Sequence, residues 1–264
     1  MDDNLKYGTD YSDQKQDHFS SAPREDNKLV RTIKSIIVGT EKCEILDDSI
    51  INHKYYNSFN YSLLSQGPQA LPISLGITSP NQQEGKTLVA SNLAVSFAMG
   101  SQKKTVLIDL NILNPRLHQI FGTPPAPGLA DAFKDGEIHL YQTVIENLFV
   151  LPCGNFLWQN DRILQSRSFS YFAAHITKSA PLSLDHLIAF RDVIYSLEQE
   201  YDILIVDMPA INSGEVPILF ANQMNGLVIV VNSGKTKRDD LDRMFQHINK
   251  HQVLGFVLNR FKKD

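Results

Sequence analysis

Ile77-Thr-Ser-Pro-Asn-Gln-Gln-Glu-Gly-Lys-Thr87 is the stretch that decides the fold of this chain. An apolar, strand-like run from Leu71 to Ile77 leads into it, and a helix-like run from Leu88 to Met99 leads out. Strand, polar turn, Gly-Lys-Thr and helix, in that order, are what a phosphate-binding loop requires. Backbone N–H groups and the positive end of the helix dipole then converge on one spot, where they hold an anion. In such a loop Lys86 reaches the β- and γ-phosphates, and the Thr87 hydroxyl ligates Mg²⁺. One position departs from the full pattern: the glycine wanted five residues before Gly85 is Pro80.

Gly-Lys-Thr by itself is also an ordinary helix start, so the reading rests on its context. Thr105-Val-Leu-Ile-Asp109 is a short apolar run ending in an acid. Tyr201-Asp-Ile-Leu-Ile-Val-Asp207-Met-Pro209 is another, closed by a breaker. In an open parallel sheet, ligands sit beyond the carboxyl ends of the strands. Three strand ends carrying Lys/Thr, Asp and Asp describe a nucleotide–magnesium site.

The chain has 264 residues, enough for one α/β domain with appendages. A net charge of −4 argues against a general nucleic-acid binder, which carries a basic excess. Cys43 and Cys153 form no metal or redox spacing, which fits a reducing cytoplasm. No apolar stretch reaches the ~20 residues of a membrane span, and the N-terminus has no signal-peptide pattern. The expectation is a cytoplasmic protein that reaches the inner membrane only through a partner.

Residues 1–48 are polar at first and read as a mobile N-terminal tail. Within them, Lys28 to Val38 mixes apolar and basic residues. Two readings stay open for that segment: an amphipathic helix touching a membrane or partner, and an edge strand or helix packed on the main domain. Residues 49–264 form the main domain. Ile50 to Leu64 has a helical period, with Tyr55, Phe59 and Leu63 four apart. Strands are expected at Leu71–Thr78, Thr105–Asp109, Leu148–Pro152, Ile203–Asp207, Gly226–Asn232 and Val253–Leu258. Helices are expected at Lys86–Met99, Leu129–Phe133, Leu184–Glu200, Glu215–Ala221 and Lys237–Lys250. Strands that are apolar throughout are buried on both faces, so the fold class is α/β: a doubly wound, mostly parallel sheet covered by helices. Residues 156–183, which include Trp158, break the rhythm and read as a surface insertion.

These pieces together resemble the bacterial tyrosine autokinases, P-loop proteins of capsule and exopolysaccharide synthesis. The resemblance runs from about Ile51 to Arg260 and rests on an ordered set of elements. The loop at Ile77–Thr87 is followed by Ser91-Asn-Leu-Ala94. Val106-Leu-Ile-Asp109 is followed by Asn114-Pro-Arg-Leu-His118 and Phe121-Gly122. Gly128-Leu-Ala-Asp131, Asp207-Met-Pro209, Gly234-Lys-Thr236 and Gly255-Phe-Val-Leu-Asn-Arg260 complete it. The resemblance implies a P-loop NTPase fold with ATP and Mg²⁺ as cofactors. It places Glu84, Gly85, Lys86, Thr87 and Leu88 at the nucleotide, with Asn259 and Arg260 near the adenine. It makes Lys86 and Asp109 the catalytic pair, and Thr87, Asp109 and Asp207 the metal site. It also implies a partner, the cytosolic tail of a membrane polysaccharide co-polymerase, and a homo-oligomer.

The departures are equally concrete. The second acid and the arginine that follow the first acid in this family are Asn111 and Leu113 here. An amide accepts a hydrogen bond but cannot take a proton. The glycine expected before Glu84 is Gln83, a side chain expected to crowd the loop or force φ below zero. The oligomerising Glu-x-x-Arg-x-x-Arg pattern reads Lys54, Asn57 and Asn60, and the last tyrosine is Tyr201, so the tyrosine-rich tail of such kinases is missing. Three readings follow: an active tyrosine kinase, an ATP-binding regulatory subunit that transfers phosphate poorly, and a ParA/MinD-type ATPase. Asn81, where that last group carries an extra lysine, argues against the third.

Overall fold

The computed structural model describes residues 33–46, 51–65, 74–112, 114–155 and 184–260. The polar stretch at 1–32, the insertion at 156–183 with Trp158, and Leu113 lie outside the described residues. In chain order the elements are β1 (Ser35–Val38), α1 (Asn57–Ser65), β2 (Ser74–Thr78), α2 (Lys86–Val95), β3 (Thr105–Asp109) and α3 (Leu117–Phe121). They continue with α4 (Leu129–Asp135), β4 (Glu137–Gln142), β5 (Leu148–Leu151), α5 (Leu184–Glu198) and β6 (Ile203–Asp207). The last are α6 (Glu215–Ala221), β7 (Gly226–Asn232), α7 (Arg238–Phe245) and β8 (Val253–Asn259).

Every residue of β2, β3 and β6 is buried, as the apolar run between their ends requires. The sheet order is β1-β4-β5-β3-β6-β2-β7-β8. The strands from β5 to β8 run parallel, β4 is antiparallel to β5, and β1 is parallel to β4. The mostly parallel sheet is therefore present, with two reversed strands on one edge. Helices cover both faces. Phe133, Phe190 and Phe220 fill one layer, where Phe190 and Phe220 meet edge-to-face at 4.9 Å. Leu93, Phe97 and Phe121 fill the other. Each such side chain contributes about 1.5–3 kcal/mol through the apolar area it removes from water.

Ser35–Val38 takes the edge-strand reading of the two left open by the sequence, so the sheet begins ahead of residue 49. β4 was not among the expected strands. Its residues alternate between half-buried and buried, because one face meets the core and the other meets water. Asn57 and Asn60 hold α1 onto the end of α2. Ser96 Oγ donates to Asn57 Oδ1 at 2.8 Å, and Asn60 Nδ2 donates to Ser96 O at 2.9 Å. Both amides are thus spent on a contact within the chain.

The strand order builds the site. β2 lies between β6 and β7, and β6 lies between β2 and β3. Asp207 therefore has Ile77 as its register partner on one side and Asp109 on the other.

Candidate functional site

The loop after β2 is bound to the loop after β6. Thr78 Oγ1 donates to Pro209 O at 2.8 Å, Ile211 N donates to Ser79 O at 2.9 Å, and Asn212 N donates to Pro80 O at 3.1 Å. Position 80 thus contributes a carbonyl to the framework and needs no N–H, so proline fits where the motif has glycine. Gly85 is required. Its φ is 96°, and a Cβ there would stand 2.0 Å from Asn259 Nδ2. Gln83 adopts a φ of 62°, which corrects the expectation that its side chain forces φ below zero. A residue other than glycine costs about 1–2 kcal/mol in that conformation, so neighbouring bonds must offset the strain.

Glu84 supplies them. Its carboxylate is buried and accepts from Asn81 N at 3.0 Å and from Thr236 Oγ1 at 2.5 Å. Thr236 Oγ1 also accepts from Asn232 N at 2.9 Å, at the end of β7. Asn259 Nδ2, at the end of β8, donates to Glu84 O at 2.9 Å. Of the residues the resemblance places at the nucleotide, Glu84 and Asn259 thus brace the loop from behind and do not line the cleft in front of it.

Val89 N donates to Gly85 O at 3.1 Å as the first bond of α2. The amides of Lys86, Thr87 and Leu88 therefore have no intrahelical acceptor, and these residues line the cleft. Lys86 is only 6% exposed. Burial lowers the pKa of its ammonium, while Asp207 and Glu84 oppose that shift. Thr87 Oγ1 donates to Asp207 Oδ2 at 2.6 Å. Burial pushes the Asp207 carboxyl up to about 8 with help from Asp109, against the Thr87 bond and Lys86. Asp207 Oδ1 is buried with no hydrogen-bond partner.

Asp109 is also buried, which pushes it up to about 6, but three backbone amides hold its charged form. Asn111 N donates to Oδ1 at 3.0 Å, and Arg116 N and Leu117 N donate to Oδ2 at 3.0 and 3.1 Å. Its carboxylate folds its own loop.

A cleft of about 770 Å³ opens in front of α2, lined by Gln82, Lys86, Thr87, Asn111, Arg116 and Arg260 among others. Gly85, Lys86, Thr87, Leu88 and Arg260 come together there. Arg116 was not singled out from the sequence, although its place in Asn114-Pro-Arg-Leu-His118, shortly after Asp109, offered a signal.

Among the described residues, no group of three His, Cys, Asp or Glu side chains gathers around a point. Mg²⁺ needs no such cage, because it keeps several waters and takes one or two carboxylates plus phosphate oxygens. The unpartnered Asp207 Oδ1 beside the Thr87 hydroxyl fits that donor set.

No family model matches the chain. It is 27% identical over 213 residues to the tyrosine-protein kinase CpsD of Streptococcus pneumoniae serotype 4, covering 78% of this chain and 83% of that one. It is 25% identical over 238 residues to the tyrosine-protein kinase YwqD of Bacillus subtilis, covering 88% and 89%. Among solved structures it resembles the chimerical protein CapA2B2, with a TM-score of 0.63, 25% identity, and coverage of 89% and 96%. The similarity to tyrosine-protein kinases with a P-loop NTPase fold thus spans most of the chain.

Proposed function

We propose that this chain binds ATP and Mg²⁺ in the cleft before α2 and acts in exopolysaccharide or capsule synthesis as a tyrosine-kinase-like protein. The single observation that carries the reading is at the start of α2: three helix-start amides and Lys86 line the cleft, and the Thr87 hydroxyl there is bonded to Asp207, buried directly behind it with one carboxylate oxygen unpartnered. Such a floor suits a phosphate chain with its metal, because phosphoryl chemistry needs positioning and charge neutralisation more than covalent help. Gly85, Lys86, Thr87 and Leu88 would hold the phosphates, Thr87 and Asp207 the metal. When bound, Mg²⁺ neutralises phosphate charge and fixes the phosphate geometry. Lys86 orients the phosphates, and the braced loop behind Glu84 keeps the amides aimed.

A second reading, an ATP-binding regulator that transfers phosphate poorly, is favoured by Asp109. Its carboxylate already holds three amides, and Asn111 beside it cannot accept a proton. Asp109 thus contributes to the metal site through its charge beside Asp207, and acts as a base only at the loss of its loop. The cytosolic tail of a membrane co-polymerase is the proposed partner. Its support is the likeness to a chimerical protein and the lack, among the described residues, of a helix long and apolar enough to cross a membrane.

Calorimetry on the full chain and on Lys86→Ala tests the site. The expected result is a loss of Mg-ATP affinity of ~100-fold or more in the variant, while equal affinities would sink it. Purified protein incubated with ATP then separates the two readings. Phosphotyrosine that appears in the wild type and vanishes in Lys86→Ala establishes the kinase, and its absence alongside intact ATP binding establishes the regulator.

A further inference from the structure

The cleft contains two arginines, fixed to opposite parts of its frame. Arg260 follows β8. Its N–H donates to Asn259 Oδ1 at 2.9 Å, and Asn259 Nδ2 in turn holds Glu84 O, so Arg260 is fastened behind the glycine of the loop. Arg116 follows β3. Its N–H donates to Asp109 Oδ2, and Asp109 is the register partner of Asp207, which takes the Thr87 hydroxyl. Arg116 is therefore fastened to the strand ends that carry the acids.

Both side chains are exposed and line the cleft, and neither makes an ion pair among the described residues. Lys86 differs, because it lies buried in the field of Asp207 and Glu84. A guanidinium is a planar fork that matches two oxygens of one phosphate, and it stays charged at any working pH. An arginine left without an acid at the rim of an anion-binding cleft is completed by the anion itself.

We infer that Arg116 reads the terminal phosphate of a bound nucleoside triphosphate and sets the preference of the site for triphosphate over diphosphate. This rests on the nucleotide reading above. Two placements in the framework carry it. The amides of Lys86, Thr87 and Leu88 fix where the middle of the phosphate chain lies. A Mg²⁺ held by Asp207 and Thr87 would take the outer phosphates, and so would mark the side on which the chain ends. Arg116 is tied to that side through its N–H on Asp109, the register partner of Asp207, and Arg260 is tied to the loop before α2 through Asn259 and Glu84. A diphosphate fills the amides and leaves Arg116 without a partner.

Calorimetry on the full chain in Mg²⁺, with ATP, ADP and AMP as ligands, tests the assignment. Arg116→Ala is expected to weaken ATP binding ~10- to 100-fold, as the loss of a charge-assisted pair should, and to weaken ADP binding less than ~3-fold. Arg116→Lys, which keeps the charge and loses the fork, should fall between. Arg260→Ala should lower ATP and ADP affinity by the same factor. An unchanged ATP-to-ADP ratio in Arg116→Ala overturns the inference and leaves the nucleotide site standing. A wild-type chain that binds none of the three ligands overturns both. Because Arg116 is exposed and its bonds among the described residues run through its backbone N–H and C=O, the alanine variant retains the Asp109 contact and the fold.

Discussion

Two loops leave the same edge of the sheet, one after β2 and one after β3, and they treat their amides in opposite ways. The loop at 79–85 is held through its own Glu84, whose carboxylate takes Asn81 N and Thr236 Oγ1 and whose carbonyl takes Asn259 Nδ2, while the amides of Lys86, Thr87 and Leu88 that follow it line the cleft. The loop at 110–116 is held from inside by Asp109, whose carboxylate takes the amides of Asn111, Arg116 and Leu117. An acid at a strand end neutralises the donors of its own loop. A strand ending in Thr78, with its carboxylate brace displaced to Glu84, leaves those donors for a ligand. The difference between a structural loop and a binding loop here is where the carboxylate stands.

Breaking the inner brace is the severest test of this contrast. Asp109→Ala leaves three amides without an acceptor, that of Leu117 buried and those of Asn111 and Arg116 partly buried, and about 3 kcal/mol of stability should go with them. Urea denaturation of the apo protein measures it, and a variant as stable as wild type would show that Asp109 does not organise its loop.

The neighbouring acid should behave in the opposite sense. Asp207 is raised from 3.8 to about 8 by burial and by Asp109, so the folded state holds its proton more tightly than the unfolded state does. Its contribution to stability is therefore complete below about pH 4 and is lost as pH rises towards 8, where the buried charge has become a penalty. Apo Tm should decline over that window. Asp207→Asn should flatten the decline and stabilise the apo protein at pH 8 by about 1–3 kcal/mol, while abolishing the Mg²⁺-dependent part of nucleotide binding. A variant with the wild-type pH profile would remove Asp207 from this role.

The smallest effect tests the outer brace. Gln83→Gly relieves a left-handed backbone and adds unfolded-state entropy, a net gain of up to about 1 kcal/mol. If thermal melts instead show a loss, the Gln83 side chain itself supports the loop.

Much of this site was legible from the sequence. Gly85, Lys86 and Thr87 follow an apolar strand, and Asp109 and Asp207 end two others, so all five could be assigned to one sheet edge before any coordinates. The buried strands were legible because burial on both faces confines polar residues to their ends. β4 escaped because it is covered on one face only, and its Glu-Ile-His-Leu-Tyr-Gln reads as mixed. Gln83 read as a flaw because its compensation comes from Glu84 and Thr236, which are far apart in the chain.

The sequence by itself thus determined the buried central strands, the mostly parallel sheet they build, and the lysine, hydroxyl and acids at its edge. These follow from local pattern and from the rule that ligands collect at the carboxyl ends of parallel strands. Only the tertiary structure decided what each side chain does there. The order β6-β2-β7-β8 brings Thr236 and Asn259 behind the loop, turning Glu84 into a brace, and the fold of the loop after β3 brings Arg116 to the cleft. Hydrogen bonds and charge act over a few ångströms of space, and distance along the chain does not measure that space.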